Sequence, residues 1–160
     1  MNLVVHLSRK LDRQPDVPAL AGVAVRNYAG SDDIGRWLDL RTRAFADETP
    51  RVRPWTRADF VAEFISKPWW SPERMWFAVA DEVVGSVALA FRGPADTAVP
   101  VVHWLMVLPD WRRRGVGKLL MATLEAACWE AGFRRIAIET HSGWTAAEGF
   151  YRSLSYRSGG

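Results

Sequence analysis

Arg112, Gly115, Gly117 and Lys118 are the residues of this 160-residue chain whose types and spacing first suggest chemistry. They lie in VVHWLMVLPDWRRRGVGKLL, Val101 to Leu120, where an apolar run of strand character stops at Pro109-Asp110 and an amphipathic run begins at Lys118. Strand, glycine turn and helix in that order aim several free backbone N–H groups and the positive end of a helix dipole at one point, which suits a pyrophosphate. Two common phosphate loops do not fit. A Walker loop would need glycine at Arg112 and a hydroxyl at Leu119. A dinucleotide fingerprint begun at Gly115 and Gly117 would need glycine at Leu120.

What remains is [RQ]-x-x-G-x-[GA] behind a strand ending L-x-V-x-P, written here as Leu105 to Pro109 and then Arg112 to Gly117. In this the chain resembles the GCN5-related N-acetyltransferases, whose pyrophosphate-binding motif has this form and context. Glu139 to Tyr156 resembles the family's other signature, a strand ending in a carboxylate followed by N-x-x-A-x-x-[LF]-Y-x-x-L-G-[FY]. Ala147, Phe150, Tyr151, Leu154 and Tyr156 fall in register, while Trp144 stands for the asparagine and Ser155 for the glycine.

The resemblance implies acetyl-CoA as acyl donor, no metal, and a small-molecule or peptide amine as acceptor. Leu105, Met106 and Val107 would offer main-chain groups to the pantetheine arm, lying like an added strand in a splay of the sheet. The amides of Arg113, Arg114, Gly115, Val116, Gly117 and Lys118 would hold the pyrophosphate, the glycines letting backbone come close. The side chains of Arg112, Arg113, Arg114 and Lys118 would add charge near the phosphates. Trp144 would replace the asparagine's hydrogen bond with an indole N–H or a stacked ring. Acetyl transfer to an amine needs a base, an oxyanion donor and an acid for the departing thiolate. Tyr151 matches the family's frequent general acid, and the N–H of Val107 is the expected oxyanion donor. Glu139 matches a base position of some relatives, where partial burial at the end of an apolar strand would raise its pKa; a structural ion pair is its equal alternative. His103, on the central strand, and His141 are alternative bases. Trp55, Trp69, Trp70, Trp76 and Trp104 fall in segments that surround the acceptor in relatives.

These residues need a scaffold, and the patterning supplies one. Residues 1–20 read as an arm with strand character in Leu3 to Leu7, stopped by Pro15 and Pro18. The domain proper spans 21–160. Ala21 to Tyr28 alternates as a strand, and Ser31-Asp32-Asp33 caps a helix carrying Ile34, Trp37, Leu38, Leu40, Arg41 and Phe45. Thr56 caps a second helix with Phe60, Val61, Phe64 and Ile65 on one side. Met75 to Ala80 and Val83 to Phe91 form a hairpin, the central strand and its helix follow, and Arg135 to Thr140 leads into a last helix, Thr145 to Leu154. The order β-α-α-β-β-β-α-β-α is an α/β (α+β) fold, a mixed central sheet flanked by helices, matching the acetyltransferase fold. Relatives continue past the last helix into further strands, whereas this chain stops soon after Tyr156. The arm strand is therefore expected to pair at an open sheet edge, in its own subunit or in a partner's.

Composition sets outer limits. Apolar content of 49% with 24% charged residues is ordinary for a globular domain, and the apolar runs are too short to span a bilayer. The first residues lack the features of a signal peptide, so a cytoplasmic location is expected. One cysteine, Cys128, and three scattered histidines offer no metal-ligand spacing, and Cys128 falls on the apolar face of its helix. The net charge of +3 suits an anionic ligand. Nucleic acid is disfavoured, because the single basic cluster lacks interleaved aromatics. The expected function is an acetyl-CoA-dependent N-acetyltransferase acting by direct attack, as a monomer or homodimer. The alternative is a catalytically inactive acyl-CoA-binding or regulatory module of the same fold.

Overall fold

A computed structural model describes residues 4–47, 52–141 and 145–159. The strands are β1 (Val4–Lys10), β2 (Ala24–Asn27), β3 (Met75–Val79), β4 (Val83–Arg92), β5 (Val99–Val107) and β6 (Arg135–His141). The helices are α1 (Asp32–Ala44), α2 (Arg57–Phe60), α3 (Val116–Glu130) and α4 (Thr145–Ser153). The strands form one sheet in the order β1-β6-β5-β4-β3-β2, antiparallel throughout except between β5 and β6. This is the mixed sheet and the element order expected.

β4 is almost continuously apolar because it is covered along nearly its whole length, and its one buried hydroxyl, on Ser86, donates to the carbonyl of Trp76 (2.8 Å). The helix starts are less simple than the sequence suggests. Thr56 and Asp59 make a reciprocal capping box on α2 as expected. At α1, Ser31 makes no side-chain cap bond. Asp33 takes the role instead, accepting from the Ala29 amide (2.7 Å), from both terminal nitrogens of Arg26 and from Arg36 (3.0 Å). α2 then widens into a π-helical turn, Val61–Ile65, which leaves Val61 exposed while Phe60 and Phe64 stay buried. Each such buried ring contributes about 2–3 kcal/mol relative to exposure.

The expected strand pairing of the arm is present, and it is within the same chain. β1 runs antiparallel to β6 along its whole length, from Val4 opposite His141 to Lys10 opposite Arg135. On the outer side of β1, Ser8 and Arg157 exchange two backbone hydrogen bonds of 2.8 Å each. Beneath them lies a buried polar network, in which Glu125 of α3 accepts from the Tyr156 hydroxyl (2.7 Å) and from Arg9 of β1 (3.0 Å). The stretch that follows the last helix is thus used to fasten the arm and does not form a further strand.

Candidate active site

Two irregularities in the central strands shape the site. β5 is paired with β6 only at Val101 opposite Ala137 and Val102 opposite Ile138; beyond these the two strands diverge. On its other side β5 carries a bulge against β4, since Ser86 faces Met106 and Ala88 faces His103, leaving Trp104 and Leu105 both opposite Val87. Trp104 accommodates the extra residue in the left-handed region, at φ 59°. A bulky side chain held there is strained, and such strain collects at functional sites. The Leu108 amide donates to Val84 of β4 (2.9 Å). Because successive amides along a strand point to opposite sides, the Val107 N–H is turned away from β4, toward the side where β6 has left.

At the end of β5 the chain makes a short 3-10 turn, Pro109–Trp111, and then four turn residues before α3. Gly115 is the N-cap of α3 at φ 91°, and Arg113 also has positive φ, 62°. The first intrahelical bond is from Leu119 to Gly115 (2.9 Å). The six amides from Arg113 to Lys118 find no acceptor among the described residues. Together with the dipole of a fifteen-residue helix they give the turn a positive character that suits an anion.

The side chains around this turn depart from expectation. Arg112 donates to the carbonyl of Ala44 at the end of α1 and from Nε to that of Val107 (3.3 Å), so its guanidinium braces α1 against β5. Arg114 lies over the Trp111 ring, 4.8 Å from its centroid. Gly117 serves α4: a β-carbon there would stand 3.1 Å from Phe150, so its missing side chain makes room for that ring.

Tyr151 projects from α4 and is only 8% exposed. Burial pushes its phenol above the usual tyrosine range. Among the described residues its hydroxyl has no hydrogen-bond partner. Glu139 lacks the burial expected of it: its side chain is 37% exposed and pairs with Arg92 at 3.5 Å, opposite His6 of β1. Trp144 and the 142–143 stretch lie outside the described residues, as does the side chain of His141.

His103 stands on β5 directly beyond the last residue paired with β6, one position before the bulge. Its Nε2 is 3.1 Å from Oε1 of Glu63, which the π-helical turn presents. Neither group is sealed off, with side-chain exposures of 18% for His103 and 30% for Glu63. The hydrogen bond from His103 holds the Glu63 carboxyl below its ordinary range. Around the pair runs an aromatic wall. His103 meets Phe64 (5.4 Å) and Trp69 (5.8 Å); Trp37 meets Trp55, Phe60, Phe64 and Trp104 at 5.1–5.8 Å between centroids. Trp70 joins through Phe64 at 6.0 Å. Trp76 does not belong to this wall, and lines a groove with Leu119 and Thr123 of α3.

A family model described as "Acetyltransferase (GNAT) family" matches residues 36–156, which include both motifs, β5, α3 and α4. The chain belongs to the GNAT family. Mycothiol acetyltransferase of Geodermatophilus obscurus is 29% identical over 161 residues, covering 96% of this chain and 52% of that protein. A Sphaerobacter thermophilus GCN5-related N-acetyltransferase superimposes with a TM-score of 0.77 at 19% identity, over 98% of this chain and 48% of the other. A CoA complex of an aminoglycoside N-acetyltransferase gives 0.64 at 21% identity, over 86% and 90%. The chain spans about half the length of the mycothiol acetyltransferases it matches.

Within this GNAT domain, sequence reading did not find Glu63 or the placement of Arg41. Glu63 is one of several charged residues in a short helix, and only the widened turn brings it to β5. Arg41 is 4% exposed, lies 4.3 Å from the Trp55 centroid and 5.2 Å from that of Trp104, and donates to the Arg53 carbonyl (2.8 Å). Its only legible signal was a cation at an apolar position of the α1 pattern.

Proposed function

We propose that this chain is an acetyl-CoA-dependent N-acetyltransferase that moves an acetyl group to a primary amine by direct attack in a ternary complex. The observation that carries this reading is the row of six amides, Arg113 to Lys118, that have no acceptor among the described residues, at the foot of a strand whose edge has come away from β6. The diphosphate of acetyl-CoA fits the former and its pantetheine arm the latter, with main-chain groups of Leu105 and Val107 as partners and Met106 between them held in register by Ser86 of β4. Arg113, Arg114 and Lys118 are exposed beside the turn and add positive charge; Arg112 supports the same turn through its two carbonyl bonds. Trp144 is assigned, in this reading, the contact that the family's asparagine makes with the pantetheine arm.

In the reaction, a base removes a proton from the acceptor ammonium, and the amine nitrogen adds to the thioester carbonyl. The N–H of Val107 receives the oxyanion. As the C–S bond breaks, the Tyr151 hydroxyl gives its proton to the thiolate. Glu139, His141 and His103 are the candidate bases. No covalent enzyme intermediate is needed, and Cys128 suits none, since burial pushes its thiol up to about 12.

Calorimetry with acetyl-CoA, followed by a screen of amines for release of free thiol, tests the reading. The amines include the acceptors of mycothiol and aminoglycoside acetyltransferases. Heat of binding and amine-dependent thiol release are expected; absence of binding overturns the proposal. Binding without turnover would favour the second reading, a catalytically inactive acyl-CoA-binding or regulatory module.

A further inference from the structure

We infer that Glu63 is a positioning residue that fixes His103 in the Nε2–H tautomer, so that Nδ1 of His103 is the base that deprotonates the acceptor amine. This rests on the acetyltransferase reading and assigns the base within it. A carboxylate can only accept hydrogen bonds, so the 3.1 Å contact requires the proton to sit on Nε2, which leaves the lone pair of a neutral imidazole on Nδ1. Nδ1 has no partner among the described residues and is not a buried, sealed atom. The ring cannot readily swing to exchange its nitrogens, because Phe64, Trp69 and Trp104 stand around it with centroids 5.4, 5.8 and 6.3 Å away.

Position favours this residue over the other two candidates. His103 is the first residue of β5 beyond the paired segment, four positions from the expected oxyanion donor Val107 on the same strand. Glu139 stands on the diverging strand, occupied by Arg92. His141 lies two residues further along that strand, opposite Val4 of β1. When His103 takes a proton, Glu63 compensates the new charge at contact distance, as a carboxylate does for an imidazolium in other acid–base pairs. The other charged groups bearing on Glu63 are Lys67, Arg92 and, from α1, Arg41. All are cations, which keep it ionised.

The decisive measurement is the ¹⁵N spectrum of the imidazoles, which is simple in a chain with three histidines. His103 is expected as the Nε2–H tautomer in the unmodified protein, and Glu63→Gln is expected to shift its tautomer balance. A His103 ring protonated on Nδ1, or one unaffected by Glu63→Gln, overturns the proposal whether or not turnover is found. With an amine that is turned over, His103→Gln should lower kcat by about 100-fold or more. Glu63→Gln should lower it by about 10-fold, because an amide does not compensate the charge that the ring gains in the step. Both variants should bind acetyl-CoA as the parent does. Undiminished turnover in His103→Gln also overturns the assignment, whereas loss of acetyl-CoA binding in the parent would instead strike the acetyltransferase reading.

Discussion

With its phenol raised by burial alone, Tyr151 stays protonated through the range in which an amine acceptor can be deprotonated, as a proton donor must. Tyr151→Phe is expected to reduce kcat by about 100-fold while calorimetry gives unchanged acetyl-CoA affinity. Asp33 is a second residue with a measurable signature. The hydrogen bond from Arg26 holds its carboxyl down at about 2, although the group is fully buried. A carboxyl depressed in the folded state stabilises above its unfolded pKa and stops doing so as pH falls through its folded one. About 2 kcal/mol should therefore be lost between about pH 4 and 2, and Asp33→Asn should remove that part of the acid dependence in urea titrations. Tyr151 and His103 were legible in the sequence because each occupies a register position in a recognisable strand or helix. Glu63 was not, since nothing local to it requires a partner forty residues away. Glu139 was legible only as a position, and its exposure depends on how far β6 diverges.

The turn before α3 is the element most fully written in the sequence. Its glycine spacing, the preceding strand and the following amphipathic helix all appear in the structure as read. Gly115 at φ 91° makes the clearest demand, as a side chain there meets the usual left-handed penalty of about 1–2 kcal/mol. Gly115→Ala should destabilise by about that amount in chemical denaturation, and weaken acetyl-CoA binding more than it weakens folding if the six amides must converge. The use of Gly117 and Arg112 was not legible, because one makes room for Phe150 and the other ties down α1, both contacts made by chain distant in sequence. The π-helical turn was hidden as well. The sequence pattern puts Val61 on one side with Phe60 and Phe64, whereas in the widened turn Val61 is exposed and the two rings are buried.

For the whole molecule, the order of elements along the chain followed from the pattern and the mixed sheet from the family resemblance, while the order of strands within the sheet was not read; the arm's strand was expected at an edge. Its fastening was not foreseen, because Glu125 sits on a helix face that otherwise reads as apolar. Glu125→Ala would leave the buried Tyr156 hydroxyl unsatisfied and Arg9 without its carboxylate, at a cost of about 2–3 kcal/mol measured by thermal unfolding. The two hydrogen bonds between Ser8 and Arg157 also bring the early and late parts of the chain side by side on one border of the sheet. A short peptide bridge would therefore join them without crossing the fold, and new ends opened in the exposed 93–97 loop would yield a circularly permuted protein with every strand in its present place.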